Sequence, residues 1–150
     1  MRNLKEWKKV ERRNIAKLGG MSTPNSGAIA GHKGDGRIGF DWRIEHKGTD
    51  KDHYRLTHAT LSKLKKDSFS SGGTPLLMVY FRRYNRSFVA IPEYCWEDDT
   101  TGMQTMDTPL YMEPYEQPFK ASVPEDNETW VVVPEVMAQM LLSLAKKDEP

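Results

Sequence analysis

One cysteine, Cys95, stands in the whole chain. An internal disulfide is therefore excluded, and so is a cysteine-based zinc site. The four histidines show no His-x(3)-His spacing, so a helical zinc motif is missing too. No run of about 18 apolar residues exists that could span a bilayer as a helix. The opening MRNLKEWKKVERRN has no apolar core of a signal peptide, and the expected location is the cytoplasm. Internal repeats are absent.

What is present suits one folded domain of 150 residues, 37% hydrophobic and 29% charged. The net charge of +1 conceals an asymmetry. Up to Lys66 there are sixteen Lys and Arg against seven Asp and Glu; beyond it there are six against fourteen. A basic half facing an acidic remainder suggests a polyanionic partner for one side. A merely solvated basic face would look the same.

Helical spacing of Leu4, Trp7, Ile15 and Leu18 predicts a helix over 3–18, stopped by Gly19-Gly20. Residues 21–34, rich in Gly, Ser and Pro, read as a loop with a short strand near Ala28. Residues 35–48 read as a β-hairpin, and Arg55 to Ser68 as a second helix. The apolar run 75–81, PLLMVYF, predicts a buried strand, paired with Phe88–Ile91 through a turn at Asn85-Arg86. The acidic, Pro- and Met-rich segment 92–128 shows no clear period and reads as a long loop. Trp130–Val133 reads as a strand. Pro134 then opens a helix with Val136, Met137, Met140, Leu141 and Leu144 on its apolar face. This order predicts an α/β domain, a central mixed sheet flanked by helices.

The candidate chemistry sits in the hairpin. Glu45 and Lys47, two apart on a strand, share a face, and Ile44 points the other way. If the hairpin turns near Phe40, Asp35 lies opposite Glu45, with Cβ atoms about 5 Å apart. Carboxylates that close repel unless a cation intervenes, and Mg²⁺ suits one or two carboxylates. A divalent ion with an adjacent ammonium is a minimal kit for phosphodiester hydrolysis. A surface hairpin with a Glu–Lys pair worth about 0–1 kcal/mol would show the same three residues.

Their surroundings add weight. Glu11 interrupts the apolar stripe of the first helix, where a carboxylate is costly unless paired or bound to metal. Ser26, in Pro24-Asn25-Ser26-Gly27-Ala28, can donate to a phosphate. Lys33, Lys51, Arg55, Lys63, Lys65 and Lys66 flank the hairpin and suit DNA phosphates. His46 faces away from Glu45 and Lys47 and reads as structural. Among the tryptophans, Trp42 is the one placed to touch DNA.

The run Glu11-Arg12-Arg13, Gly19-Gly20, Pro24 to Ala28, Lys33-Gly34-Asp35 and Ile44-Glu45-His46-Lys47-Gly48-Thr49 resembles archaeal Holliday-junction resolvases. It is also similar to phage-encoded nucleases of the PD-(D/E)XK superfamily. The likeness covers roughly residues 10–90. It implies a restriction-endonuclease-like fold and a Mg²⁺- or Mn²⁺-dependent endonuclease acting in DNA recombination, with branched DNA as substrate. It implies Glu11, Asp35 and Glu45 as metal ligands, Lys47 as catalytic and Ser26 near the scissile bond. It also implies a homodimer and, for a phage-encoded chain, the host cytoplasm. Asp41 remains open as an alternative to Asp35. Two other readings also stay open: a non-catalytic DNA-binding protein of this fold, and an interaction module working through 92–128.

Overall fold

The computed structural model describes residues 4–22, 35–38, 42–96 and 98–147, the side chains of 37 and 143–147 excepted. These residues form three helices: α1 (Leu4–Lys17), α2 (His58–Ser70) and α3 (Glu135–Lys147). Among them run ten strands. The first five are β1 (Met21–Ser22), β2 (Gly36–Ile38), β3 (Trp42–Thr49), β4 (Tyr54–Leu56) and β5 (Thr74–Phe81). The others are β6 (Arg86–Pro92), β7 (Gln104–Asp107), β8 (Leu110–Met112), β9 (Phe119–Val123) and β10 (Glu128–Pro134).

Eight strands make one mixed sheet in the order β1-β2-β3-β5-β6-β10-β9-β7; β4 and β8 form a separate two-stranded sheet. The parallel pairs are β3 with β5 and β7 with β9. α2 provides the crossover that a parallel β3–β5 pair requires. No helix among the described residues is long and apolar enough to cross a membrane.

Alternation along the central strands divides the interior into two cores. Leu77, Val79 and Phe81 of β5, with Trp130 and Val132 of β10, face Leu61 and Leu64 of α2 and Leu56, Leu110 and Met112 of the small sheet. Leu76 and Met78, with Val131 and Val133, face Ile15 and Leu18 near α1 and Ala138 and Leu142 of α3. Strands buried on both faces read as continuous apolar runs, which is why PLLMVYF was legible. α1 ends where expected, because Gly19 takes φ +80°, a conformation that favours glycine.

Five expectations need correction. α2 begins at His58, because Thr57 caps it and accepts the Thr60 amide at 3.3 Å; Arg55 belongs to β4. The segment 92–128 is not one long loop. It holds a short 3-10 turn (Glu93–Cys95), β7, β8, β9 and the start of β10. Pro134 closes β10, and α3 starts at Glu135. Of the expected apolar face of α3, Leu141 packs against the core, but Val136 is 66% and Met140 64% exposed, and Ala138 and Leu142 are the buried contacts. Leu4 is likewise exposed, so the inward face of α1 runs through Trp7, Asn14 and Ile15, with Leu18 buried just beyond its end. The expected strand near Ala28 lies outside the described residues.

Candidate active site

The register of the hairpin decides which acids meet. Gly36 pairs with Ile44, Arg37 with Arg43 and Ile38 with Trp42. Continued by one residue, it sets Asp35 opposite Glu45. The Asp35 amide donates to the Ile44 carbonyl at 2.8 Å, and Asp35 Oδ2 accepts the His46 amide at 2.8 Å. Asp35 is thus fixed to the backbone of β3.

Burial along β3 alternates as the hairpin reading requires. Ile44 and His46 are buried toward α1, whereas Glu45 and Lys47 are half-buried on the α2 side. Lys47 Nζ lies 3.3 Å from Glu45 Oε1. Both line a cleft of about 220 Å³ with Thr60, Lys63, Leu64 and Asp67 of α2.

α1 brings the third acid. Asn14, one turn beyond Glu11, reaches β3 by donating its side-chain amide to His46 Nε2 at 3.1 Å. Glu11 is half-buried and pushed up to about 7, by burial first and then by the charges of Asp35 and Glu45. It shares a side-chain hydrogen bond with Asp35. Asp35 and Glu45 are also raised, chiefly by burial; the Asp35 charge lifts Glu45 further, while Lys47 and Lys63 pull both back. The Lys47 ammonium stays charged: burial is the largest single influence and works against it, but Glu45, Tyr54 and Asp35 together raise it. His46 is driven down to about 4 by burial, so its imidazole is neutral and can accept from Asn14.

Among the described residues no three His, Cys, Asp or Glu side chains form a ready-made metal-holding group. Glu11 and Asp35 are joined by their hydrogen bond, and Glu45 leans on Lys47. The donor chemistry nonetheless fits a hard divalent ion: three carboxylates, raised by burial and mutual repulsion, with Asp35 between the other two. A carboxylate cluster of this kind is eased by a cation.

The remaining candidates divide. Lys63 is exposed and acts on Asp35 and Glu45 directly. Lys51 and Arg55 line a second cleft beyond Gly48. Lys65 is engaged with Glu128. Trp42 packs against the α1-side core. Ser26, Lys33 and Asp41 lie outside the described residues. Sequence reasoning missed Tyr54. Its half-buried phenol bonds Thr60 and feels the charges of Lys47 and Glu45. A tyrosine seven residues beyond Lys47, just ahead of the Thr57 cap, was the available signal.

No protein-family model matches the chain, and neither the curated proteins nor the solved structures contain a match.

Proposed function

We propose that the chain is a Mg²⁺- or Mn²⁺-dependent DNA endonuclease with a restriction-endonuclease-like core. The observation that carries this reading is the hairpin register. It opposes Asp35 and Glu45 and aligns Lys47 beside Glu45, while α1 delivers Glu11 to the same acids. The resemblance to PD-(D/E)XK nucleases implies this set: a helix carrying Glu, then Asp and Glu-x-Lys on a hairpin, then a central apolar strand. β5, between β3 and β6, fills that last place.

Glu11, Asp35 and Glu45 would hold the ion. A bound divalent ion supplies Lewis acidity toward water and toward a phosphoryl oxygen. Lys47 provides a fixed ammonium that orients the attacking water and offsets charge gathering on the phosphate. Water adds to phosphorus, one ester P–O bond breaks, and the strand ends as a phosphate and a hydroxyl. Lys63, at the rim of the cleft, draws the DNA backbone toward the acids. Sheet order adds long-range steering. The basic first half supplies β1, β2 and β3 at one end, and the acidic remainder supplies β7, β9 and β10 at the other. Selectivity for branched DNA and a homodimeric state follow from the resolvase likeness and belong to the same proposal.

Incubation with plasmid, single-stranded DNA and a synthetic four-way junction tests it. Cleavage should need Mg²⁺ or Mn²⁺ and stop with EDTA. Absence of cleavage with both ions would sink the enzyme reading. DNA binding without cleavage would favour a non-catalytic DNA-binding protein, and no binding an interaction module.

A further inference from the structure

Beside the acids lies a second cleft, of about 480 Å³, lined by Gly48, Lys51, His53, Arg55 and Tyr111 among others. One wall is the small sheet. β4 and β8 pair Tyr54 with Met112, Arg55 with Tyr111 and Leu56 with Leu110. Leu56, Leu110 and Met112 are buried, so the sheet turns that side to the core. Directly opposed residues share a face. Arg55 and Tyr111 therefore point outward together, and Tyr111 is 63% exposed.

Tyr111 is exposed but supported. The His53 ring meets it edge-on, with centroids 5.3 Å apart and planes at 81°. His53 is in turn held through Nδ1 by Asp52 at 2.9 Å. An aromatic ring kept out of the core, braced from one side and flanked by a guanidinium and an ammonium, has the parts of a nucleotide site. The ring offers a face for a base, and the cations suit its phosphates.

The location relates this cleft to the acids. β3 lines both clefts, with Glu45 and Lys47 in the first and Gly48 and Thr49 in the second. Tyr54 joins them, lining the second while acting on Lys47 and Glu45 of the first. A strand lying along β3 would meet both.

We propose that Tyr111 is a stacking platform for an unpaired nucleotide of a DNA strand whose phosphates are taken by Arg55 and Lys51. The inference rests on the nuclease reading for its choice of DNA, and it names the substrate class. The preferred DNA has a splayed or single-stranded base beside the cleaved bond. Bases stacked inside an unbroken duplex cannot reach a surface tyrosine without being extruded.

The test reads binding, not cleavage, in EDTA. The probes are a single-stranded oligonucleotide carrying 2-aminopurine and a blunt duplex of the same sequence. The unaltered chain should bind the single strand more tightly and quench its fluorescence. Tyr111→Ala should lose the quenching and about tenfold of single-strand affinity, with little change on the duplex. Tyr111→Trp should retain both properties, which guards against a folding defect. Arg55→Ala should weaken binding and reduce the salt dependence by about one counterion. Tyr111→Ala that binds and quenches like the unaltered chain overturns the proposal, as does an equal loss on duplex. A chain that quenches through Tyr111 but never cleaves retains this inference and loses the nuclease reading. A chain that cleaves while Tyr111→Ala behaves normally loses this inference alone.

Discussion

Asp35 accepts the backbone amide of His46 at 2.8 Å, across the hairpin from Glu45. The bond gives Asp35 two ties to β3, because its own amide already donates to Ile44. A carboxylate this firmly held is positioned before any ligand arrives, which is what a site built on rigid elements requires.

Substitution at this bond should separate fold from chemistry. Asp35→Asn retains an oxygen acceptor for the His46 amide but loses the negative charge. Thermal melting should be nearly unchanged in EDTA, and DNA cleavage should disappear. Lys47→Ala should cut cleavage by about 100-fold or more while DNA binding persists, as for loss of one electrostatic stabiliser. A Lys47→Ala protein that cleaves normally would remove Lys47 from the site.

Much of this site was legible because it depends on local rules. The period of two along Ile44-Glu45-His46-Lys47 assigns faces, and the hairpin spacing opposes Asp35 to Glu45. The apolar run 75–81 reads as a central strand for the same reason, with both faces buried. The region 92–128 was not legible, because β7 and β8 have only four and three residues and β7 is polar and mostly exposed. Phe119-Lys120-Ala121-Ser122-Val123 does alternate, but it is too short to stand out among prolines and acids. α3 misled in another way: Val136 and Met140 follow helical spacing yet stay exposed, while Ala138 and Leu142, with Leu141 beside them, make the contact. Periodicity locates a stripe but does not say which stripe is covered. The Tyr111 cleft was invisible because β4 and β8 are more than fifty residues apart, and only their pairing creates it.

Glu11 should impose a pH dependence on stability. Its folded value is about 7, against an ordinary 4.5, so the folded chain holds this proton more tightly than the unfolded chain. The stability due to that proton is complete below about pH 4.5 and is lost as pH rises through 7. Glu11→Gln mimics the protonated acid and should escape the loss. In EDTA the variant's melting temperature should gain on the unaltered chain between pH 5 and pH 8. Mn²⁺ at pH 8 should narrow the gap by stabilising only the chain with its acid. A gap that does not vary with pH would contradict the burial assigned to Glu11.

His46 should act in the opposite sense, at lower pH. Burial holds it at about 4, against an ordinary 6.5, so the unfolded chain binds this proton more readily. The contribution is present above pH 6.5 and is lost as pH falls toward 4. NMR of the imidazole should find it neutral at pH 5.5. Asn14→Ala removes the amide that donates to Nε2 at 3.1 Å and leaves a buried group unpaired. Denaturant unfolding should register a loss of about 1–3 kcal/mol. An imidazole that protonates near pH 6.5 would mean that α1 does not cover β3 as described.

Gly48 fixes the approach of α1 to β3, and its replacement should be felt through Trp7. A Cβ at this position would overlap the Trp7 ring. That ring already packs edge-on against Tyr80 at 6.5 Å and under Arg82 at 5.3 Å, so it has little room to retreat. Gly48→Ala should therefore destabilise the fold by about 1–3 kcal/mol, as overpacking does. In Trp7→Ala the obstacle is gone, and adding Gly48→Ala should cost much less. Denaturant unfolding of the four proteins in that cycle should give a clearly non-additive result, as expected for residues in contact. Additive losses would show that the close approach of Trp7 to Gly48 does not limit the packing of α1, and would separate Glu11 from the strand that carries Glu45 and Lys47.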